Sequence, residues 1–290
     1  MTVNYDPQTV EGFGKEWTKF DHSTVQESKL EQPFAWYFSI FPWPALPHNA
    51  VGFDMGCGSG RWAKLVAPRV GKLYCIDASA DALAVARKNL ELFPNVEFSQ
   101  VSVEAMPLAP ESMDFGYSLG VLHHVPDTLA GIKSCVGKLK PEAPFLLYLY
   151  YAFDNQPLWF RVLWKITNVV RRLISQCPFQ LRYYLSQIIA ALIYYPLARL
   201  ARLAAKVVTN VNAFPLSFYR DLSFYSMRND ALDRFGTKLE KRFTRAQMKQ
   251  MMEEAGLEQI IFSEAQPYWC AVGYKRNISQ SHIGRVEILG

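Results

Sequence analysis

"FDMGCGSGRW", residues 53–62, decides the reading of this 290-residue chain. Gly56, Gly58 and Gly60 alternate just after Asp54, in a chain with only 16 glycines. The preceding "AVGFDMG" (50–56) reads as a short buried strand, and "RWAKLVAPRV" (61–70) as the helix that follows the turn. The turn lacks the lysine and hydroxyl that close a GxxxxGK[ST] phosphate loop. Its third glycine comes one residue early for the dinucleotide pattern GxGxxG. A strand-ending turn without a ligand is the bland alternative. On the ligand reading, Gly56 and Gly58 clear room for a bound molecule, and Gly60 lets the following helix pack closely. The amides of Gly58 to Arg61 then face the ligand at a partly positive helix start.

Outward from the turn, strands alternate with helices. "KLYCIDA" (72–78) is a strand carrying Asp77, placed to accept ribose hydroxyls as acids do in dinucleotide folds. "SADALAVARKNLEL" (79–92) is a helix with Ser79 at its cap and Asp81 near its positive end. "VEFSQVS" (96–102), "MDFGYSL" (113–119) and "PFLLYLYY" (144–151) are strands, and Asp127 caps the helix "TLAGIKSCVGKLK" (128–140). Past residue 240, Thr244 caps "RAQMKQMMEEAG" (245–256), Gly256 stops it, and "LEQIIFSE" (257–264) and "YWCAVGYK" (268–275) close the pattern. Such alternation predicts an α/β fold with a parallel sheet covered on both faces. Before it, "EGFGKEWTKF" (11–20) is a short amphipathic helix with Phe13, Trp17 and Phe20 on one side. The expected organisation is an N-terminal helical arm (1–48), a core (49–155), a helical insertion (156–235), the end of the core (236–276) and a tail (277–290).

Half of the residues are hydrophobic and 14% aromatic, which supports a large core and excludes wholesale disorder. The net charge of +5 is uneven. From Asn155 to Arg220 no acid occurs and nine basic residues do, so this segment is +9 and the remainder −4. Its basic residues lie among Leu, Ile, Trp and Tyr, which argues against nucleic acid as a partner. Five scattered cysteines show no metal-ligand spacing and make a poor disulfide framework, so no metal and a reducing cytoplasm are expected. The N-terminus has no signal-peptide pattern, and Pro196 interrupts the longest charge-free apolar stretch, so no membrane span is expected.

Four motifs resemble the class I S-adenosylmethionine-dependent methyltransferases with a "methyltransferase domain 11/25" type of core. They are "VGFDMGCGSGRW" (51–62), "YCIDAS" (74–79), "VSVEAMPLAPESMDFGYSLGVLHHVPD" (101–127) and "LKPEAPFLLYLY" (139–150). The resemblance implies a doubly wound, seven-stranded, mostly parallel sheet of order 3-2-1-4-5-7-6, with "YWCAVGYK" as the antiparallel strand and 156–235 as a helical lid. S-adenosylmethionine is the implied cofactor and S-adenosylhomocysteine its product. Asp54 would contact the methionine end beside Gly56, Cys57, Gly58, Gly60 and Arg61. Asp77 and Ala78 would meet the ribose. Ser102 and Val103 stand at the adenine edge, where Ser102 replaces a common aspartate and Glu104 could compensate. Leu119 and Gly120 would lie below the methionine chain.

Methyl transfer from a sulfonium needs alignment and exclusion of water, with a base only for some acceptors. His123 and His124, in "HHVPD", are candidates, an imidazole being a suitable base near neutral pH. Tyr150 is a third. Trp17, Tyr151, Tyr219, Tyr225 and Arg228 are candidate acceptor contacts. For the basic, aromatic block 156–208, three readings stand: a cap with a solvated arginine face, a lid over an apolar or anionic acceptor, or a helix on an anionic membrane surface. The expected activity is methyl transfer to a small apolar or amphipathic molecule. The alternative is a non-catalytic or membrane-surface binding protein on the same core, with a nicotinamide-dependent reductase behind both.

Overall fold

The computed structural model describes residues 4–21, 28–207, 211 and 214–277. An arm of two helices, α1 (Pro7–Lys19) and α2 (Ser28–Tyr37), precedes the sheet. Asp6 starts α1 by accepting the Thr9 amide at 2.7 Å. The core then runs β1 (Val51–Met55), α3 (Ala63–Val66), β2 (Lys72–Asp77), α4 (Ala80–Asn89), β3 (Val96–Gln100), β4 (Phe115–Leu119), α5 (Thr128–Val136) and β5 (Pro144–Tyr148). The insertion holds α6 (Leu158–Ser175), α7 (Phe179–Ile189), α8 (Tyr195–Ala204) and α9 (Phe224–Gly236), and α10 (Arg245–Glu254), β6 (Leu257–Phe262) and β7 (Cys270–Lys275) finish the core. The seven strands lie in the order β3-β2-β1-β4-β5-β7-β6, as expected. β7 runs antiparallel to β5 and β6, and the other pairs are parallel. Helices cover both faces, so β1, β4 and β5 are almost continuously buried and apolar.

Local chemistry sets most boundaries. Ser79, Asp127 and Thr244 each accept an amide of the first turn they cap, and Gln247 completes a capping box with Thr244. Gly256 follows α10 at φ +93°, where a side chain would be strained. The helix expected at 61–70 is shorter: α3 spans Ala63–Val66 and a 3-10 turn, Ala67–Arg69, takes over around Pro68. Prolines also punctuate the insertion. Pro157 and Pro178 stand at the starts of α6 and α7, and a π turn, Ala190–Tyr194, precedes Pro196 and joins α7 to α8. Proline cannot donate to the helix ladder, and the wider turn absorbs that defect without a break. Most of the tail expected at 277–290 lies outside the described residues.

The insertion leaves and rejoins the sheet at one point. The Phe243 amide donates to the Tyr150 carbonyl and the Ala152 amide to the Phe243 carbonyl, both at 2.9 Å. It has its own core, in which Ile174, Ala190, Tyr194 and Ala198 pack on Met227, Ala231 and Phe235 of α9.

The solvated-arginine reading of 156–208 holds for part of the block: Arg161, Lys165, Arg172, Arg202 and Lys206 are exposed, whereas three arginines turn inward. Buried Arg171 donates to the Thr237 carbonyl at 2.8 Å, Arg182 to that of Gly236, and Arg199 to that of Arg220 at 2.9 Å. These guanidinium groups tie the insertion together from inside. The outward side of α6 also carries an apolar stripe: Leu158, Val162, Ile166, Val169 and Leu173 repeat at helical spacing, each 48–73% exposed. Leu192, Leu200 and Leu203 continue the theme on the next helix.

Candidate active site

One cavity of about 1040 Å³ runs from the glycine turn into the insertion. Gly56, Gly58 and Gly60 all have positive φ (+81°, +55° and +76°), which explains glycine at each. Their neighbours are protein atoms. A Cβ at Gly56 would lie 2.4 Å from Val121, at Gly58 2.8 Å from the Trp17 indole, and at Gly60 2.8 Å from Leu90 of α4. Gly60 thus serves packing on α4, not on the helix that follows it. The turn's amides are also largely spent: Gly58 donates to Asp77 Oδ2 at 2.9 Å and Gly60 to the Cys57 carbonyl at 2.9 Å. The expected fan of amides facing a ligand is therefore reduced.

Asp77 lines the cavity, and its second oxygen accepts the Ser79 amide at 2.8 Å. A carboxylate can accept about four hydrogen bonds, so lone pairs remain for two ribose hydroxyls. Gly56, Cys57, Arg61, Ala78, Ser102, Val103, Leu119 and Gly120 line the same end. The acceptor capacity left on Asp77 and the cavity end walled by Gly56, Ala78, Ser102, Leu119 and Gly120 fit S-adenosylmethionine. Gly58, Gly60, Asp54 and Glu104, all expected at the cofactor, do not line the cavity. Asp54 is buried in β1, and burial first, then the nearby Asp77 carboxylate, push its carboxyl up to about 8 against the pull of the Tyr117 hydroxyl. Its Oδ2 has no hydrogen-bond partner. Glu104 accepts the Asn4 amide at 2.6 Å, while the Asn4 side chain bonds the Asp127 backbone, so this acid anchors the arm.

Trp17 lies over Gly58, beneath the Arg61 guanidinium at 5.4 Å, so α1 roofs the turn. Of the histidines, His124 lines the cavity and His123 does not. His123 is fully buried between His124 and Tyr150, with ring centroids 3.9 Å from each. Burial first, then the neighbouring His124 and Arg242, hold its imidazole well below the usual range, and neither nitrogen has a partner. Tyr150 lines the cavity and donates to Asp233. Tyr151, Tyr219 and Tyr225 also line it. Arg228 does not: it bonds Gln187 at 2.5 Å and Tyr183 at 3.1 Å and crosses the Phe20 ring at 5.5 Å.

Asn229, which the sequence offers as a candidate beside Tyr219, Tyr225 and Arg228, lies in the cavity wall, while sequence reasoning missed Glu16 on α1 and Asp230 and Asp233 on α9 there. It also missed Arg242, which lines the cavity beside Tyr150 and pairs with Glu240 at 2.8 Å. Their only sequence signal is acids inside helices with apolar periodicity, which normally marks a solvated face.

Residues 53–147 match the methyltransferase domain family, and this part of the chain is a class I S-adenosylmethionine-dependent methyltransferase domain. Over 100 residues, 32% of this chain and 44% of the relative, it is 32% identical to the 2-phytyl-1,4-naphtoquinone methyltransferase of Thermosynechococcus vestitus. Over 90 residues, 30% of this chain and 39% of the relative, it is 37% identical to the ubiquinone biosynthesis O-methyltransferase of Stutzerimonas stutzeri. The chain thus spans less than half the length of these curated relatives. An S-adenosylmethionine-dependent methyltransferase structure from Thermotoga maritima superposes with a TM-score of 0.52 at 13% identity, covering 93% of this chain and all of that one, a likeness of fold.

Proposed function

We propose that this protein is an S-adenosylmethionine-dependent methyltransferase whose acceptor is a small amphipathic molecule taken from a membrane surface. The carrying observation is the course of the cavity. It starts at the Gly56 turn and Asp77, passes Tyr148 and Tyr150, and reaches Leu163 and Ile193. Those last two side chains are 42% and 48% exposed and belong to the apolar outer faces of α6 and the π turn. An apolar acceptor could pass from a bilayer to the cofactor end without crossing water. Arg161, Lys165 and Arg172 are exposed along α6 and Lys206 just past α8, and their charge suits anionic lipid. The run Phe179–Ala204 is long and apolar enough to cross a membrane by length and composition, with mean hydropathy 1.2. Ser186, Ala190, Tyr194, Ala198 and Ala201 are nevertheless buried along it, three of them in the core shared with α9, which favours lying on the surface. The free thiols Cys57, Cys75, Cys135, Cys177 and Cys270 suit a cytoplasmic location.

When bound, S-adenosylmethionine supplies a methyl group activated as a sulfonium. In this reading Asp77 holds the ribose, Ser102 and Val103 flank the adenine, and Leu119 and Gly120 support the methionine chain. Trp17 covers the turn and keeps water out. His124 replaces His123 as the candidate proton acceptor, with Tyr150 fixed beside it. Two experiments test the proposal. Calorimetry with S-adenosylhomocysteine should show binding, and its absence would sink the cofactor assignment. Co-sedimentation with anionic vesicles should capture the parent chain and lose it in Ile166→Asp/Leu173→Asp. Self-association through the apolar face without vesicle capture would mark a second copy of the chain as its occupant, and lipid binding without turnover on any extract fraction would favour a non-catalytic binder.

A further inference from the structure

The cavity wall carries a cluster rich in hydrogen-bond acceptors, contributed by α1 and α9. α1 supplies Glu16, and α9 supplies Asn229, Asp230 and Asp233. Glu16 is buried and its Oε1 lies 2.7 Å from the Asn229 amide nitrogen. With that amide spent, Asn229 Oδ1 is left buried and without a partner. His124 adds a further acceptor. Its Nδ1 lies 2.6 Å from the Leu239 carbonyl, which can only accept, so the neutral ring carries its hydrogen there. Nε2 then presents a lone pair, has no hydrogen-bond partner and sits 3.9 Å from Asp233 Oδ1. Two acceptors facing each other across that gap call for a donor between them.

Arg61, Arg234 and Arg242 line the same cavity. Arg61, held over the rings of Trp17 and Trp62, is the neighbouring guanidinium that eases ionisation of Glu16, Asp230 and Asp233. Burial, then mutual repulsion, still raise Glu16 well above the usual carboxylate range. Trp17, Tyr37, Tyr148 and Tyr219 line the same space, and aromatic faces attract organic cations. An incoming primary ammonium has three hydrogens, enough for the orphan oxygen, the imidazole lone pair and one carboxylate, where a quinol hydroxyl has one.

We infer that this cluster binds an organic ammonium and that the methyl acceptor is an amphipathic amine. The inference rests on the methyltransferase reading above. Glu16, Asp230 and Asp233 all lie outside residues 53–147, so the match to the methyltransferase domain family does not bear on them. The bound ammonium gives one proton to His124 Nε2. Its nitrogen lone pair then bonds the methyl carbon while the carbon–sulfur pair returns to sulfur, leaving a methylated ammonium and S-adenosylhomocysteine. The cofactor's own ammonium is the other source of the same chemistry, and the test separates the two.

Calorimetry on the full chain, with hexylamine, 1-hexanol and S-adenosylhomocysteine as probes, decides. Hexylamine is expected to bind at least about tenfold more tightly than 1-hexanol, with S-adenosylhomocysteine already bound. Asp230→Asn/Asp233→Asn should lower hexylamine affinity at least about tenfold and leave S-adenosylhomocysteine affinity within about twofold. Glu16→Gln, on the other helix, should repeat the pattern and guards against a folding defect in the double variant. Equal binding of the two hexyl probes would overturn the inference. So would hexylamine competing with S-adenosylhomocysteine, or variants that weaken the latter, since the cluster would then serve the cofactor. Hexylamine binding by a parent chain that fails to bind S-adenosylhomocysteine would overturn the cofactor assignment and leave the ammonium site standing.

Discussion

Asp77 holds the turn and, in the proposed function, the ribose. Replacing it with alanine removes two charge-assisted hydrogen bonds to the ligand and two to backbone amides. S-adenosylhomocysteine affinity in Asp77→Ala should fall roughly 10–100-fold by calorimetry. Asp54 makes a different prediction. Its carboxyl is raised from 3.8 to about 8, so the native state keeps a proton that the unfolded chain has released. The stability it contributes is full below 3.8 and is lost as pH rises toward 8. Asp54→Asn stays neutral throughout, so its melting temperature relative to the parent should climb between pH 5 and 8. A flat difference in scanning calorimetry would contradict this. At this scale the sequence was informative where chemistry is local. The glycines, Asp77 and the caps Ser79, Asp127 and Thr244 act within a few residues or one strand-to-helix turn. Glu16 and Asn229 meet across 213 residues, and nothing local marks either as buried.

Among elements, α1 is the one whose role depends most on a single contact. A methyl group at Gly58 meets both a positive φ and the Trp17 ring. Gly58→Ala should cost about 1–3 kcal/mol in urea unfolding, and combining it with Trp17→Ala should cost less than the sum of the two changes. Thr244→Ala, at the start of α10, should cost about 1 kcal/mol in the same measurement. The seven strands were legible because parallel strands covered on both faces are short apolar runs between helices. The orientation of α6 was not. Its periodicity is visible in the sequence, but whether Leu158 or Phe160 faces inward depends on partners that the pattern does not name. Arg171 and Arg182 go inside because backbone carbonyls at Thr237 and Gly236 wait for them there.

For the whole molecule, vesicle binding should combine two parts that separate by salt. Raising ionic strength from about 0.05 to 0.5 M should weaken capture by screening the exposed lysines and arginines. Neutralising Arg161 and Lys165 with glutamine should reduce that salt dependence, each charge being worth roughly 1 kcal/mol near anionic lipid. The apolar part should persist at high salt. The joint at Tyr150, Ala152 and Phe243 has a consequence for how the chain can vary. The chain enters and leaves the insertion at one clasp just past β5, with side-chain ties from α9 to α1 and Tyr150 besides, while the turn, Asp77 and Ser102 lie at other strands. Lengthening or exchanging the segment between the clasp's two halves costs little closure entropy, about 0.6 kcal/mol for each doubling. Substitutions confined to 153–242 therefore leave the residues proposed to hold the methyl donor untouched.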